Sequence, residues 1–175
     1  MRALKIAKFK FTLLNTSLCL VFAAPALSID IPFENQKKGE RPPLTNTDAM
    51  AMRLLTAIEK DDPKSVQDIF FPEGPFLALK DIPDAKQYYK TLMESFSADI
   101  HKQSTGLSVQ KTFRFQKFRL GFCKWKDVGT EYNKIPYWSC YRSEIIASQG
   151  DKKIVIPVKV IINWGQDWYV THLGR

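Results

Sequence analysis

The sequence predicts an α+β domain, with N-terminal helices packed on a curved antiparallel meander sheet of four to five strands. Three observations predict it. Between Thr45 and Gly106 the apolar residues recur at helical spacing. After Gly106 the apolar period drops from 3.6 to 2. The two-periodic stretches are joined by short turns, and short connections make neighbouring strands antiparallel.

The first helix is predicted to start near Thr45, where Thr45 and Asp48 have capping-box spacing. Ala51, Leu54, Leu55 and Ile58 form one stripe along it, and Asp61-Asp62 end the pattern. Asp62 then caps a second, short helix with Pro63 in its first position and Val66, Ile69 and Phe70 on its apolar face. Pro72 stops that helix, and Pro72-Glu73-Gly74-Pro75 reads as a turn. Phe76 to Lys80 reads as a short strand. The longest helix follows Pro83, with a second capping-box pair at Asp84 and Gln87. Its stripe is Tyr89, Leu92, Met93, Phe96 and Ile100.

Four strands are predicted at about 111–125, 136–148, 153–163 and 168–173. Asp127-Val128-Gly129, Ser148-Gln149-Gly150-Asp151 and Gly165-Gln166-Asp167 supply the turns between them. The cysteines predict a register. If Cys123 faces Cys140, Trp125 faces Trp138, Phe122 faces Tyr141, Phe118 faces Ile145 and Arg119 faces Glu144. Aromatic then meets aromatic and base meets acid, which are favourable cross-strand pairs. A change of phase between Phe115 and Phe118 predicts a bulge near Gln116 or Lys117.

The chain opens with Arg2, Lys5, Lys8 and Lys10, then an apolar stretch from Phe11 to Ala24, then small residues at Ala24-Pro25-Ala26 and Ala26-Leu27-Ser28. That order predicts a signal peptide over residues 1–28 and export to the periplasm or beyond. The apolar stretch is short of the ~20 residues a membrane-spanning helix needs. Of 26 basic and 18 acidic side chains, four bases leave with the signal, so the remainder carries +4 rather than +8. A bias that mild is compatible with weak contact to anionic surfaces and is no nucleic-acid footprint. Cys19 also leaves. The remaining pair in an exported chain reads as a Cys123–Cys140 disulfide, against two free thiols or a metal pair without further ligands at short spacing. Residues 29–44, which hold Lys37-Lys38-Gly39-Glu40-Arg41-Pro42-Pro43 and little that could be buried, read as a flexible arm, leaving 45–175 as the domain.

Two helices, a short strand, a long helix and an antiparallel sheet form an element order that resembles the NTF2-like, cystatin-like α+β superfamily. Ala57-Ile58-Glu59-Lys60-Asp61-Asp62-Pro63, followed by Val66, Ile69 and Phe70, is similar to the opening of its SnoaL-like members. Trp168-Tyr169-Val170-Thr171-His172-Leu173 resembles their last strand. The resemblance implies a sheet curved around the long helix into a cone-shaped pocket. It does not imply catalysis, because the catalytic Asp/His pair of the enzymatic members has no matched position. Fold alone does not carry function.

His101 and His172 are the only histidines. His172 falls on the last strand, on the face of Trp168 and Val170 if alternation holds, as a candidate general base or a hydrogen-bonded half-buried histidine. His101 falls in the last turn of the long helix, exposed and favourable against the helix dipole. Asp99, at the margin of that helix's buried face, is a second candidate base or a carboxylate paired with a nearby base. Tyr137, Trp138, Tyr141 and Trp168 are candidate ligand-binding aromatics, and Tyr132 lies beside them. They are equally good sheet formers. Lys111 to Arg119 interleaves bases with aromatics, as a stacking platform or as an ordinary amphipathic edge strand. No metal-binding or cofactor-binding motif is present in the sequence.

These readings predict an exported, non-enzymatic domain that binds a small ligand or an envelope protein. The alternative is a small hydrolase or isomerase using His172 or Asp99 as base. An enzyme would place one of them in a closed cavity with a hydrogen-bonded partner.

Overall fold

The computed structural model describes residues 37–106 and 112–174. The predicted signal peptide, residues 29–36 of the arm and Lys111 of the first predicted strand lie outside them. The α+β class holds, with helices preceding one antiparallel sheet.

Helix α1 runs Thr47–Lys60 and buries Met50, Ala51, Leu54, Leu55, Ala57 and Ile58, the predicted stripe widened by two residues. The predicted Thr45/Asp48 capping box does not form, and Asn46 occupies the cap position without a side-chain cap bond. A tertiary contact takes the Asn46 amide instead. It donates to Trp168 O at 3.0 Å and accepts from Trp168 N at 3.2 Å. Asp61 closes the helix in a left-handed conformation, φ 54°.

Residues Pro63–Ile69 form a 3-10 segment, with Pro63 in its first turn and no side-chain cap from Asp62. Here the cap is reversed: Ser65 Oγ donates to Asp62 O at 2.8 Å. The predicted strand at 76–80 is instead the end of helix α2, Glu73–Leu79, so the turn predicted at 72–75 is its start. A short apolar run fits either structure by pattern. Pro75 falls in the first turn, where no intrahelical N–H partner is lost, and Phe76 and Leu79, three apart, are the buried pair.

Helix α3 runs Ala85–Thr105 and buries Leu92, Phe96 and Ile100. The predicted Asp84/Gln87 box is absent, because Asp84 is left-handed at φ 52° and makes no side-chain cap bond. Tyr89 packs between Phe70 and Phe76, at 5.7 and 5.4 Å between ring centres.

The sheet has five strands: β1 Arg114–Arg119, β2 Phe122–Lys126, β3 Tyr137–Gln149, β4 Lys152–Trp164 and β5 Asp167–His172. Its order is β1-β3-β4-β5, with β2 also paired to β3. The first predicted strand is thus two strands in line along β3, broken at Leu120-Gly121. All the cross-strand pairs predicted from the cysteines are observed, and Arg119 and Glu144 form an ion pair. Cys123 and Cys140 are bonded. The register shifts between Phe115 and Lys117, as the phase change predicts.

The break has a backbone cause. Arg142 stands opposite it with φ 58°, and Gly121 N donates to Ser143 Oγ at 3.2 Å. A Cβ on Gly121 would collide with Tyr141 O and come within 2.7 Å of the Arg142 carbonyl. A glycine at a kink lets two strands approach and the sheet curve. Gly121→Ala is expected to lower the unfolding free energy by about 1–3 kcal/mol, measurable by urea titration. A change below about 0.5 kcal/mol, the usual range for surface substitutions, would contradict the close approach.

The last eight residues of the predicted flexible arm, 37–44, lie against the sheet. Trp138 Nε1 donates to Lys37 O and Glu40 O, both at 3.2 Å. Lys38 pairs with Asp127 at 3.0 Å, and the Arg41 guanidinium lies 6.0 Å from the Trp168 ring centre. The composition is tether-like, yet backbone carbonyls suffice to seat it on two indole N–H groups.

Candidate functional site

A cavity of about 720 Å³ lies between the sheet and the helices. Side chains alternate along a strand, so Tyr137, Ser139 and Tyr141 of β3 project into it together. Their cross-strand neighbours Ile162 and Val160 continue the wall on β4. Phe76 of α2, Lys80 just after it, Ile82-Pro83, and Tyr88 and Leu92 of α3 close the opposite side. Thr130 to Tyr132 form the rim. The size and the mostly apolar wall are those of a small-molecule site.

The polar end centres on Glu131. Its carboxylate accepts from Tyr137 OH at 2.5 Å and Tyr141 OH at 3.0 Å, and pairs with Lys126. Lys80 Nζ donates to Glu131 O at 3.0 Å and to Tyr137 OH at 3.2 Å. Burial alone would push the Glu131 carboxyl up, but the bonds from Lys126, Tyr137 and Tyr141 outweigh it and hold it below the usual range. Burial, then Glu131, drives the Tyr137 phenol far above its ordinary value. Burial also lowers the Lys80 ammonium, against the attraction of Glu131.

The Glu131 loop is held from inside by Asn133, which is buried. Asn133 Nδ2 donates to Asp127 O at 3.1 Å and Ile135 O at 2.9 Å, while Oδ1 accepts from Glu131 N at 2.9 Å. Pairing of the chain after α2 with this loop brings Lys80 alongside: Asp81 N donates to Tyr132 O at 2.7 Å and Lys134 N to Leu79 O at 2.8 Å.

Ser139 is 1% exposed, and its Oγ has no hydrogen-bond partner among the described residues. Buried hydroxyls are ordinarily satisfied, so this one, out of reach of solvent, is an exception in the sheet wall.

The predicted site residues divide. Tyr137, Tyr141 and His172 line the cavity, and Tyr132 is on its rim. Trp138 does not. It packs edge-on against Trp125 at 5.6 Å. Trp168 is fully buried in the core, its indole N–H donated to Pro43 O at 3.1 Å. The alternation expected to align His172 with Trp168 and Val170 fails at Thr171. There the β4–β5 register shifts, and His172 pairs with Val160 beside the cavity. Asp99 does not line the cavity and lies next to Gly174. Burial raises its carboxyl, opposed by Lys102, His172 and Lys159. His101 is exposed, with Nδ1 at 2.8 Å from Asp61. The bases of β1 are exposed and its aromatics half-buried, an amphipathic edge strand.

His172 Nδ1 contacts Thr171 Oγ1 at 3.2 Å rather than a carboxylate. Burial lowers its pKa first, with Lys159 and Lys80 adding and Asp99 opposing. The unfolded chain therefore binds this proton more readily, and stability falls as pH drops through the ordinary value of 6.5 toward the lower folded value. His172→Gln is expected to flatten that part of the stability–pH curve. An unchanged slope between about pH 7 and pH 5 would show that His172 is not the group titrating there.

Lys80, Glu131, Asn133 and Ser139 were not marked by the sequence. Only the tyrosines two and four residues along β3 from each other and from Ser139 pointed at that wall. Among the described residues no cluster of His, Cys, Asp and Glu could hold a metal ion, and no helix is long and apolar enough to cross a membrane. The chain matches no protein-family model, no curated protein and no solved structure.

Proposed function

We propose that this chain is an exported, non-enzymatic binding domain of NTF2-like kind that encloses a small ligand between its sheet and α3. One observation carries the reading: a largely apolar cavity of about 720 Å³ has the polar pair Lys80 and Glu131 among its lining. The Cys123–Cys140 bond supports export, because disulfides persist in oxidising compartments. The helix-then-sheet order supports the NTF2-like likeness.

His172 on the cavity wall favours the second reading, a pocket hydrolase or isomerase. A general base also needs an orienting partner, and Thr171 supplies a hydroxyl in place of a carboxylate. Asp99 outside the cavity lends that reading nothing.

The test is binding of a fluorescent apolar probe to protein purified from an exporting host without reductant. One probe per chain is expected. Val160→Trp, which fills the wall opposite Tyr141, should suppress binding with far-ultraviolet circular dichroism unchanged. No binding, or binding indifferent to that substitution, would refute the proposal. Native mass spectrometry of the same preparation reads the start of the chain, the oxidised cysteine pair and any co-purified molecule.

A further inference from the structure

The cavity's two ends differ in charge as well as polarity. Lys80, Lys124 and Lys126 gather around the tyrosine wall: Lys80 over Tyr137 at 5.4 Å, Lys126 over Tyr141 at 5.2 Å, and Lys124 over Phe122, which stacks on Tyr141. Of the three only Lys80 lines the cavity, and Glu131, the carboxylate that lines it with Lys80, is already held by Lys126 and two phenols. Lys80 enters no ion pair among the described residues. Two of its three N–H groups go to Glu131 O and Tyr137 OH, and an ammonium has three to give. A half-buried cation with an N–H to spare asks for an anionic acceptor. The remaining wall is hydrocarbon and aromatic.

We propose that the cavity takes an apolar monocarboxylate of the fatty-acid type. Its carboxylate is held by Lys80 Nζ beside Tyr137, and its hydrocarbon lies against Phe76, Leu92 and Ile162. The inference rests on the ligand-binding reading and adds the chemical class. A sugar would leave the apolar side without contacts, and a cationic amphiphile would meet the like charge of Lys80.

The test is titration calorimetry of the disulfide-bonded protein, freed of co-purified ligand, with dodecanoate, dodecan-1-ol and dodecylamine. Dodecanoate is expected to bind one per chain and at least about tenfold tighter than the alcohol, as a charge-assisted hydrogen bond allows. The amine is expected to bind weakest. Lys80→Met should bring dodecanoate to the affinity of the alcohol and leave the alcohol unchanged. Equal affinity for acid and alcohol, or a preference for the amine, overturns the carboxylate while the pocket reading stands. So does dodecanoate binding indifferent to Lys80→Met. Failure of all three ligands and of the apolar probe overturns both. Should Lys80→Met not fold, the comparison of acid with alcohol on the unsubstituted protein still decides.

Discussion

Serine at both Cys123 and Cys140 is expected to lower the unfolding free energy by about 3 kcal/mol. The bond closes a loop of sequence separation 17 and so removes many conformations from the unfolded chain. The folded hairpin has other support, namely Trp125 against Trp138 at 5.6 Å and Phe122 stacked on Tyr141 at 5.4 Å. The variant should therefore still fold, with its urea midpoint displaced and its sheet content kept. The loop between β2 and β3 carries Glu131, so its binding of an apolar probe should weaken as well. Equal unfolding free energies for the oxidised protein and the variant would show that the bridge constrains little.

Glu131→Gln is expected to destabilise by about 2–4 kcal/mol. Glu131 anchors Lys126, Tyr137 and Tyr141 at once, and the estimate is held down because its side chain is 36% exposed. The folded carboxyl sits below its ordinary value of 4.5. Its contribution is therefore fully present above about pH 5 and is lost as pH falls through the folded value. The variant should lose that acid-side slope. In ultraviolet difference titration its Tyr137 should ionise at lower pH, since one of the groups raising it is gone. Dodecanoate should bind tighter, because the competing anion has been removed. Unchanged acid-side stability would show that the network is not coupled to folding.

Much of the sheet was legible because its signals are local and periodic. Alternation over 153–163 and one pair of cysteines place β2, β3 and β4 with the correct partners, and the bulge at Gln116 shows as a phase change. The helical ends were not legible. Thr45, Asp62 and Asp84 have cap-like spacing, yet their side chains make no cap bond, because loop conformation and contacts such as Asn46 with Trp168 decide where each oxygen points. The run 76–80 is too short for its period to separate strand from helix. Half of the candidate aromatics fell outside the cavity for a similar reason. Trp138 is one residue out of phase with Tyr137 and Tyr141 on β3, and Trp168 lies before the Thr171 register shift.

The sequence by itself determined the α+β class and the pairing of β2 with β3 through Cys123 and Cys140, since each depends on periodicity or on neighbours along one hairpin. The tertiary structure alone decided the site. Lys80, Glu131 and Ser139 come from a helix end, a loop and a strand. What gives them meaning is an ammonium without an ion pair among the described residues, set beside a carboxylate already held by two phenols, and those are properties of the folded surroundings. Burial and hydrogen-bond satisfaction are sums over every group nearby in space, and no spacing along the chain encodes them.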